Sequence, residues 1–303
     1  MLHTSTVSEL NERNLSTALA AVQVERLANS DRAEVLQFLA QRPIHTVAMM
    51  SLIQDNGIVS RFNRGTFYGC RDLQGQLEGV ALVGHATLME TISDRALAAL
   101  AQVARECPST HLIMGEKERV ADFWSHYSEA GRRHRLACRE WLFELTRPGD
   151  SREAVMELRS AKVAELELVM PIQAQLAFME SGVDPMEVDP HGFRERCLRR
   201  IEQGRTWVVV EKGELIFKAD VVSKTAEVNY LEGVWLHEDC RHKNLGTRFM
   251  SGLMRRLLED TRSICLLVNE TNEWAQGFYR KCGFHFRATY ETIFLPRKEP
   301  AQN

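Results

Sequence analysis

The chain of 303 residues has no apolar run approaching the ~18 residues of a membrane span. Its opening stretch, MLHTSTVSELNERN, lacks the apolar core of a secretory leader, so a cytoplasmic location is expected. The seven cysteines, at 70, 107, 138, 197, 240, 265 and 282, include no Cys-x-x-Cys pair and read as free thiols, many of them buried. His237, Cys240 and His242 stand close together, but no second ligand cluster lies nearby. That segment reads as a turn, and no metal is expected. Basic charge is not in excess either. A formal net charge of −3 argues against a nucleic-acid partner, which needs a basic surface to displace counterions. No membrane partner is expected, and neither low-complexity segments nor short repeats occur.

What is present is ordinary globular composition, 44% hydrophobic and 26% charged. The length exceeds the ~100–200 residues of one domain, which predicts two. The polar Pro/Gly segment from Thr146 to Ser151 divides them, giving domains 1–148 and 152–303. Each half opens with helical patterns. In the first, Asp31 is placed to cap a helix carrying Val35, Leu36, Phe38 and Leu39, and a second helix is expected over Thr46–Asp55. In the second, Val163–Met179 is expected to break into two segments at Pro171, with another helix over Phe193–Gln203.

Strands follow in both halves: Thr66–Arg71, Leu77–Leu82 and Ala86–Thr91, then Thr206–Val210, Leu215–Val222 and Glu227–Leu236. The turns at Gln74-Gly75 and Lys212-Gly213 mark hairpins. Each half then switches to helix, strand, helix, strand. The expected fold class is α/β with a mixed sheet in each of two tandem, internally related domains.

The halves differ where the third of these strands meets the next helix. The first half has only Ser93 and Asp94 there, with no glycine and no basic residue, whereas the second has HEDCRHKNLGT. Behind that loop, Met250, Leu253, Met254, Leu257 and Leu258 recur at helical spacing over Thr247–Asp260. A helix start with free N–H groups, a dipole and neighbouring Arg241, His242 and Lys243 suits an anion, and Gly246 lets backbone approach it. Only the second half offers this, so the first is expected to be a degenerate copy.

The run Arg241-His242-Lys243-Asn244-Leu245-Gly246 resembles the Arg/Gln-x-x-Gly-x-Gly/Ala signature of GNAT acetyltransferases, with Asn244 at the first glycine. Asparagine tolerates positive φ better than other non-glycine residues. Downstream, VNETNEWAQGFYRKCGF resembles the second signature of that family through Asn272, Ala275, Tyr279, Gly283 and Phe284. The likeness covers roughly residues 155–295, and the whole chain looks like bacterial tandem GNAT proteins with an N-terminal GNAT-like domain.

The resemblance implies an acyl-CoA-dependent N-acyltransferase, most simply moving acetyl from acetyl-CoA to a primary amine by direct attack in a ternary complex. It implies coenzyme A held by Arg241, His242, Lys243, Asn244, Leu245, Gly246 and Thr247, by the strand residues Val234, Trp235 and Leu236, and by Asn272 and Tyr279. Tyr279 matches the family's general acid. An alkyl ammonium has a pKa near ~10.4 and must shed a proton before attack. For the base, Tyr230 occupies the place where some members carry glutamate, and Glu232 shares its strand face. Glu180 and Asp220 fall in regions that line the acceptor side. The partner is a small-molecule or peptide amine, and a homodimer stays open. A non-catalytic acyl-CoA sensor is the alternative, and a transferase using aminoacyl-tRNA is a weaker one. The first domain is expected to shape the acceptor site.

Overall fold

The computed structural model describes residues 22–128, 131–148, 155, 157–241 and 243–296. By contacts the chain forms two units, Met1–Arg139 with Thr289–Asn303, and Glu140–Ala288.

The first unit is built from β1 (Val22–Arg26), α1 (Arg32–Leu39), α2 (Pro43–Asn56), β2 (Gly65–Asp72), β3 (Leu77–Gly84), β4 (Ala86–Thr91), α3 (Asp94–Glu106), β5 (Leu112–Glu116) and α4 (Lys117–Tyr127). Its strand order is β1-β2-β3-β4-β5, closed by residues of the chain's last strand, where Tyr290–Phe294 pair antiparallel with β5. Neighbours are antiparallel except β4 and β5, which run parallel. Ser93 caps α3 by accepting from the Ala96 N–H at 3.2 Å. Asp31 behaves differently from the sequence expectation. It sits at the N-cap of α1 without capping it, and its carboxylate accepts instead from the Ala28 N–H at 2.7 Å.

The second unit takes Glu140–Leu145 from β6 (Leu136–Leu145), then β7 (Arg159–Ser160), α5 (Leu166–Ser181), α6 (Pro190–Glu202), β8 (Thr206–Glu211), β9 (Glu214–Lys224), β10 (Val228–Leu236), α7 (Leu245–Leu258), β11 (Ser263–Asn269) and α8 (Glu273–Lys281). Its strand order is β6-β11-β10-β9-β8-β7, with only β10 and β11 parallel. The hairpin between β8 and β9 turns through Lys212 at φ 50° and Gly213 at φ 85°, the paired positive φ of a tight hairpin.

These units divide the chain differently from a cut at the Pro/Gly segment. Glu140–Leu145 pair with β11, and the last strand, β12 (His285–Phe294), is shared, with Thr289 onward counted in the first unit. Composition marks where a chain turns, whereas strand partners decide where a strand belongs.

Pro171 does not split its helix. α5 runs unbroken through it. Proline removes one N–H and crowds the carbonyl four residues back. Here that carbonyl is Glu167, in the first turn, and Pro171 itself is exposed, so the cost is confined to one end.

Met250, Leu253, Met254 and Leu257 of the stripe that the sequence marks are buried on α7, Leu258 is half-buried, and Phe249, outside that stripe, is buried as well. They pack with Phe217, Leu231, Leu266 and Phe143 in one core, each such side chain contributing about 1.5–3 kcal/mol over exposure. On the other side of the sheet α5 and α6 build a second core with Val208 and Leu215.

Candidate active site

The site is organised by β10. Its parallel ladder with β11 runs from Val228/Ser263 to Leu231/Leu266 and stops, although β10 continues to Leu236 and β11 to Asn269. β11 stays paired with β6 as far as Asn269/Glu140. The two strands therefore part, and one backbone edge of Glu232–Leu236 faces an opening with N–H and C=O groups that no strand partner uses.

A bulge sets this geometry. The β9–β10 register shifts between Glu232/Asp220 and Trp235/Lys218, and Gly233 sits at φ 59°. A Cβ there would come 2.8 Å from both Gln173 Oε1 and Lys218 Nζ. The extra residue changes the alternation, so Leu231, Val234 and Leu236 all pack toward the α7 core. Trp235 packs on the α5 side, edge-on to His237 at 5.8 Å.

Beneath the bulge lies a buried ion cluster. Lys218, wholly buried, donates to Gln173 Oε1 at 2.6 Å, Asp220 Oδ2 at 2.6 Å and the Gly233 carbonyl at 3.2 Å. Asp220 also accepts from Arg200 at 3.0 Å and from Thr206 at 2.7 Å. Burial opposes ionisation of Asp220, but the Lys218 and Arg200 charges outweigh it and hold its carboxyl below the usual range. Burial lowers the Lys218 ammonium despite Asp220. Asp220 is thus committed to internal partners, which removes it as a proton acceptor for substrate.

Glu232 follows Tyr230 on the same face, away from the α7 core. Desolvation raises its carboxyl, with Arg200 and the Tyr230 hydroxyl pulling the other way. Tyr230 is raised well above its ordinary range by burial and by Glu232 and Glu140. Glu180, near the end of α5, is pushed up to about 8 by desolvation in the cleft and by repulsion from Glu232 and Glu140. Its side chain is exposed, so water softens both effects.

Tyr279 lies on α8, edge-to-face with Phe278 at 5.2 Å and Phe284 at 5.7 Å. Burial, with Cys282 and Glu180 adding to it, raises its phenol, which stays protonated through neutral pH. Among the described residues nothing hydrogen-bonds its hydroxyl, leaving that proton free to be donated.

At the end of β10, His237 caps a short 3-10 turn over Glu238–Cys240, its Nδ1 accepting from the Asp239 N–H at 3.3 Å. Arg241 and Lys243 are exposed, and His242 lies outside the described residues. No group of three metal-ligating side chains occurs among the described residues. Asn244 takes the left-handed conformation at φ 58° and gives α7 no side-chain cap. The Arg248 N–H returns to the Asn244 carbonyl at 3.1 Å, so the N–H groups of Leu245, Gly246 and Thr247 precede the first helical acceptor. Gly246 is buried against Leu236, and a Cβ would lie 3.2 Å from Leu236 and 3.4 Å from Phe278. The free strand edge, these N–H groups and exposed basic side chains fit an extended thiol arm ending in phosphates.

Asn272 is placed at the N-cap of α8, where its Oδ1 accepts from the Ala275 N–H at 3.0 Å. Its side chain therefore serves the helix start. Sequence reasoning did not identify Lys218, Arg200, Gln173 or Thr206 as neighbours of the site. The available signal was Lys218 and Asp220 two apart on one strand, which places opposite charges on one face.

The first unit also has a parallel pair that parts. β4 and β5 pair from Ala86/Leu112 to Leu88/Met114 and separate beyond. There the opening is spanned. Arg42 donates to Glu90 of β4 at 3.1 Å and to Glu116 of β5 at 2.6 Å, and His45 lies 3.0 Å from the Tyr290 hydroxyl. These residues line a cavity with Thr91 and Arg119.

Residues 173–284 match the family described as Acetyltransferase (GNAT) family, a span that includes the whole opening and both of its flanking helices. Among solved structures the fold is similar to an acetyltransferase from the GNAT family of Colwellia psychrerythraea, with TM-score 0.57 and 9% identity over 90% of this chain and 100% of that one. It is also similar to a tandem GNAT protein from the clavulanic acid biosynthesis pathway, solved without AcCoA, with TM-score 0.55 and 13% identity over 92% and 100%. A GCN5-related N-acetyltransferase from Sphaerobacter thermophilus gives TM-score 0.53 and 12% identity over 93% and 98%. At such identities the likeness establishes the fold alone, a mixed α/β fold of GNAT type. No curated protein matches the sequence.

Proposed function

We propose that the second unit is an acyl-CoA-dependent N-acyltransferase that moves acetyl to a primary amine by direct attack within a ternary complex. The observation that carries this reading is the parting of β10 from β11 after Leu231/Leu266, directly upstream of the uncapped start of α7. Acetyl-CoA supplies the activated thioester. The N–H groups of Leu245–Thr247 and the exposed Arg241 and Lys243 hold its phosphates, with His242 assigned to them from the sequence alone, and the free edge of Val234–Leu236 pairs with its arm. Asn272 fixes the start of α8 and so the direction of Tyr279.

An N–H of the β10 edge polarises the thioester carbonyl, a term that is strong where water is excluded. Glu232 takes the proton of the incoming ammonium, directly or through a water, because its raised affinity for protons moves it toward the working pH. Tyr279 donates its phenolic proton to the departing thiolate.

The first unit is read as a degenerate copy in tandem with the second. It keeps the parted strands, but Arg42 spans them, and Ser93 and Asp94 replace the phosphate loop.

Calorimetric titration of acetyl-CoA into the wild type and a Gly246→Glu variant tests the site. Micromolar binding that disappears in the variant supports it. An amine screen follows, with Tyr279→Phe as control. Wild-type protein that binds no acetyl-CoA overturns the reading.

A further inference from the structure

Trp274 stands near the start of α8, where neither the helix cap nor the core uses its indole. It is 63% exposed, although a tryptophan offers one of the largest apolar surfaces for burial. Asn272 caps the helix, and Ala275, Phe278 and Tyr279 make its contacts with the α7 core. The indole lies instead against the ring of Phe278, one helical turn on. The two rings stack in parallel, with centroids 5.7 Å apart and an interplanar angle of 1°.

This stack continues the anion site at the start of α7. Gly246, in the first turn of that helix, is buried, and a Cβ there would lie 3.4 Å from the Phe278 ring. Gly246, Phe278 and Trp274 thus form a line from the free N–H groups of Leu245–Thr247 out to the surface. Arg241 and Lys243, just before those N–H groups, are exposed. A single exposed aromatic needs no explanation. One that extends a phosphate-binding turn suits a planar ring joined to phosphate.

Building on the transferase reading, we infer that Trp274 is the platform on which the adenine of acetyl-CoA stacks. One ribose separates the base of that molecule from its phosphates, so phosphates held at the α7 turn leave the base within reach of the indole. Stacking uses the face of the base and needs no hydrogen bond to its edge. Phe278 already holds the indole in place, so little side-chain freedom is lost when the base arrives. The consequence is a donor preference. A thioester carried on phosphopantetheine alone, free or attached to a carrier protein, lacks the base and forgoes this contact.

The test is calorimetric titration of acetyl-CoA, acetyl-dephospho-CoA and acetyl-phosphopantetheine into the full chain as wild type, Trp274→Ala and Trp274→Phe. Trp274→Ala is expected to weaken acetyl-CoA about tenfold, the size of one base–aromatic stack, and to leave acetyl-phosphopantetheine unchanged. Acetyl-dephospho-CoA keeps the base and is expected to lose affinity by the same factor. Trp274→Phe retains most of the affinity for both nucleotide donors. Equal weakening of all three donors would make the indole a support for α8, and unchanged acetyl-CoA affinity would place the base elsewhere. Either result overturns the inference. A higher KM for the amine with donor affinities intact assigns the indole to the acceptor and overturns it too. The expected pattern without acetylation of any amine sinks the transferase reading alone. Acetylation of an amine with a donor preference that Trp274→Ala leaves unchanged sinks the inference alone. Wild type that binds none of the three donors overturns both.

Discussion

Lys218 Nζ donates to the Gly233 carbonyl at 3.2 Å, tying a fully buried ammonium to the residue where β10 breaks step with β9. The same ammonium meets Asp220 and Gln173, so the bulge is held from a cluster anchored on α5, α6 and β8. A buried pair of this kind is costly to break from one side, because the surviving charge stays buried.

Lys218→Met, which keeps the length and removes the charge, is expected to destabilise the second unit by about 3 kcal/mol. Arg200 and Thr206 remain on Asp220 and limit the loss. Urea unfolding measures it. Adding Asp220→Leu leaves Arg200 and Thr206 without their carboxylate, so it is expected to recover little of that stability, and acetyl-CoA affinity stays low, since the bulge is still unpinned. Affinity restored together with stability would show that the cluster only fills space.

The pH dependence of stability carries a signature of Glu180. Its carboxyl is raised to about 8 in the folded chain, above its ordinary value, so the native state holds more protons between the two. The stability it contributes is full below the ordinary carboxylate range and is lost as pH rises through about 8. Exposure of the side chain makes the slope shallow. Unfolding measured from about pH 5 to about pH 9 is expected to decline less in Glu180→Gln than in the wild type. Identical slopes would show that Glu232 and Glu140 do not repel it.

Much of the second unit is legible in the sequence because its determinants are local. The stripe of α7, the hairpin at Lys212-Gly213 and the loop before Leu245 each declare themselves within a few residues. Pairings between distant segments do not. Arg200 reads as a solvated helix cation until the fold brings it to Asp220, and Lys218 reads as an outward strand residue although it is wholly buried. Arg42 is equally silent in sequence, since Glu90 and Glu116 reach it only after β4 and β5 part. Pro171 misleads for a different reason. A proline's cost depends on which carbonyl it displaces, and near a helix start the cost is small.

Tyr279→Phe removes one hydroxyl from a ring held by Phe278 and Phe284. With that packing retained, melting temperature and acetyl-CoA affinity are expected to stay near wild type. Turnover is expected to fall ~10²- to 10⁴-fold, the range for a positioned acid. Steady-state kinetics with thiol release as readout checks this. A change in KM with kcat intact would make the tyrosine a binding residue.

Asn244 adopts φ 58° at the start of α7. Glycine reaches that conformation without the Cβ penalty, so Asn244→Gly is expected to stabilise the protein by up to ~1 kcal/mol. It also clears a side chain from the phosphate loop, and acetyl-CoA is expected to bind at least as tightly. Weaker binding, by calorimetry, would mean that the asparagine side chain itself contacts the ligand.

Arg42 joins Glu90 and Glu116 across the parted strands of the first unit, and its removal separates two questions. Glu90 is nearly buried while Arg42 is more than a third exposed, so Arg42→Ala is expected to cost about 1–2 kcal/mol, less than a fully buried pair. A degenerate first unit has no phosphate loop to use even when its opening is unlatched. The stoichiometry of acetyl-CoA is therefore expected to stay at one per chain in both proteins, by calorimetry. A second equivalent bound by the variant would show that Arg42 is a latch on a working site, and the degenerate reading would be lost.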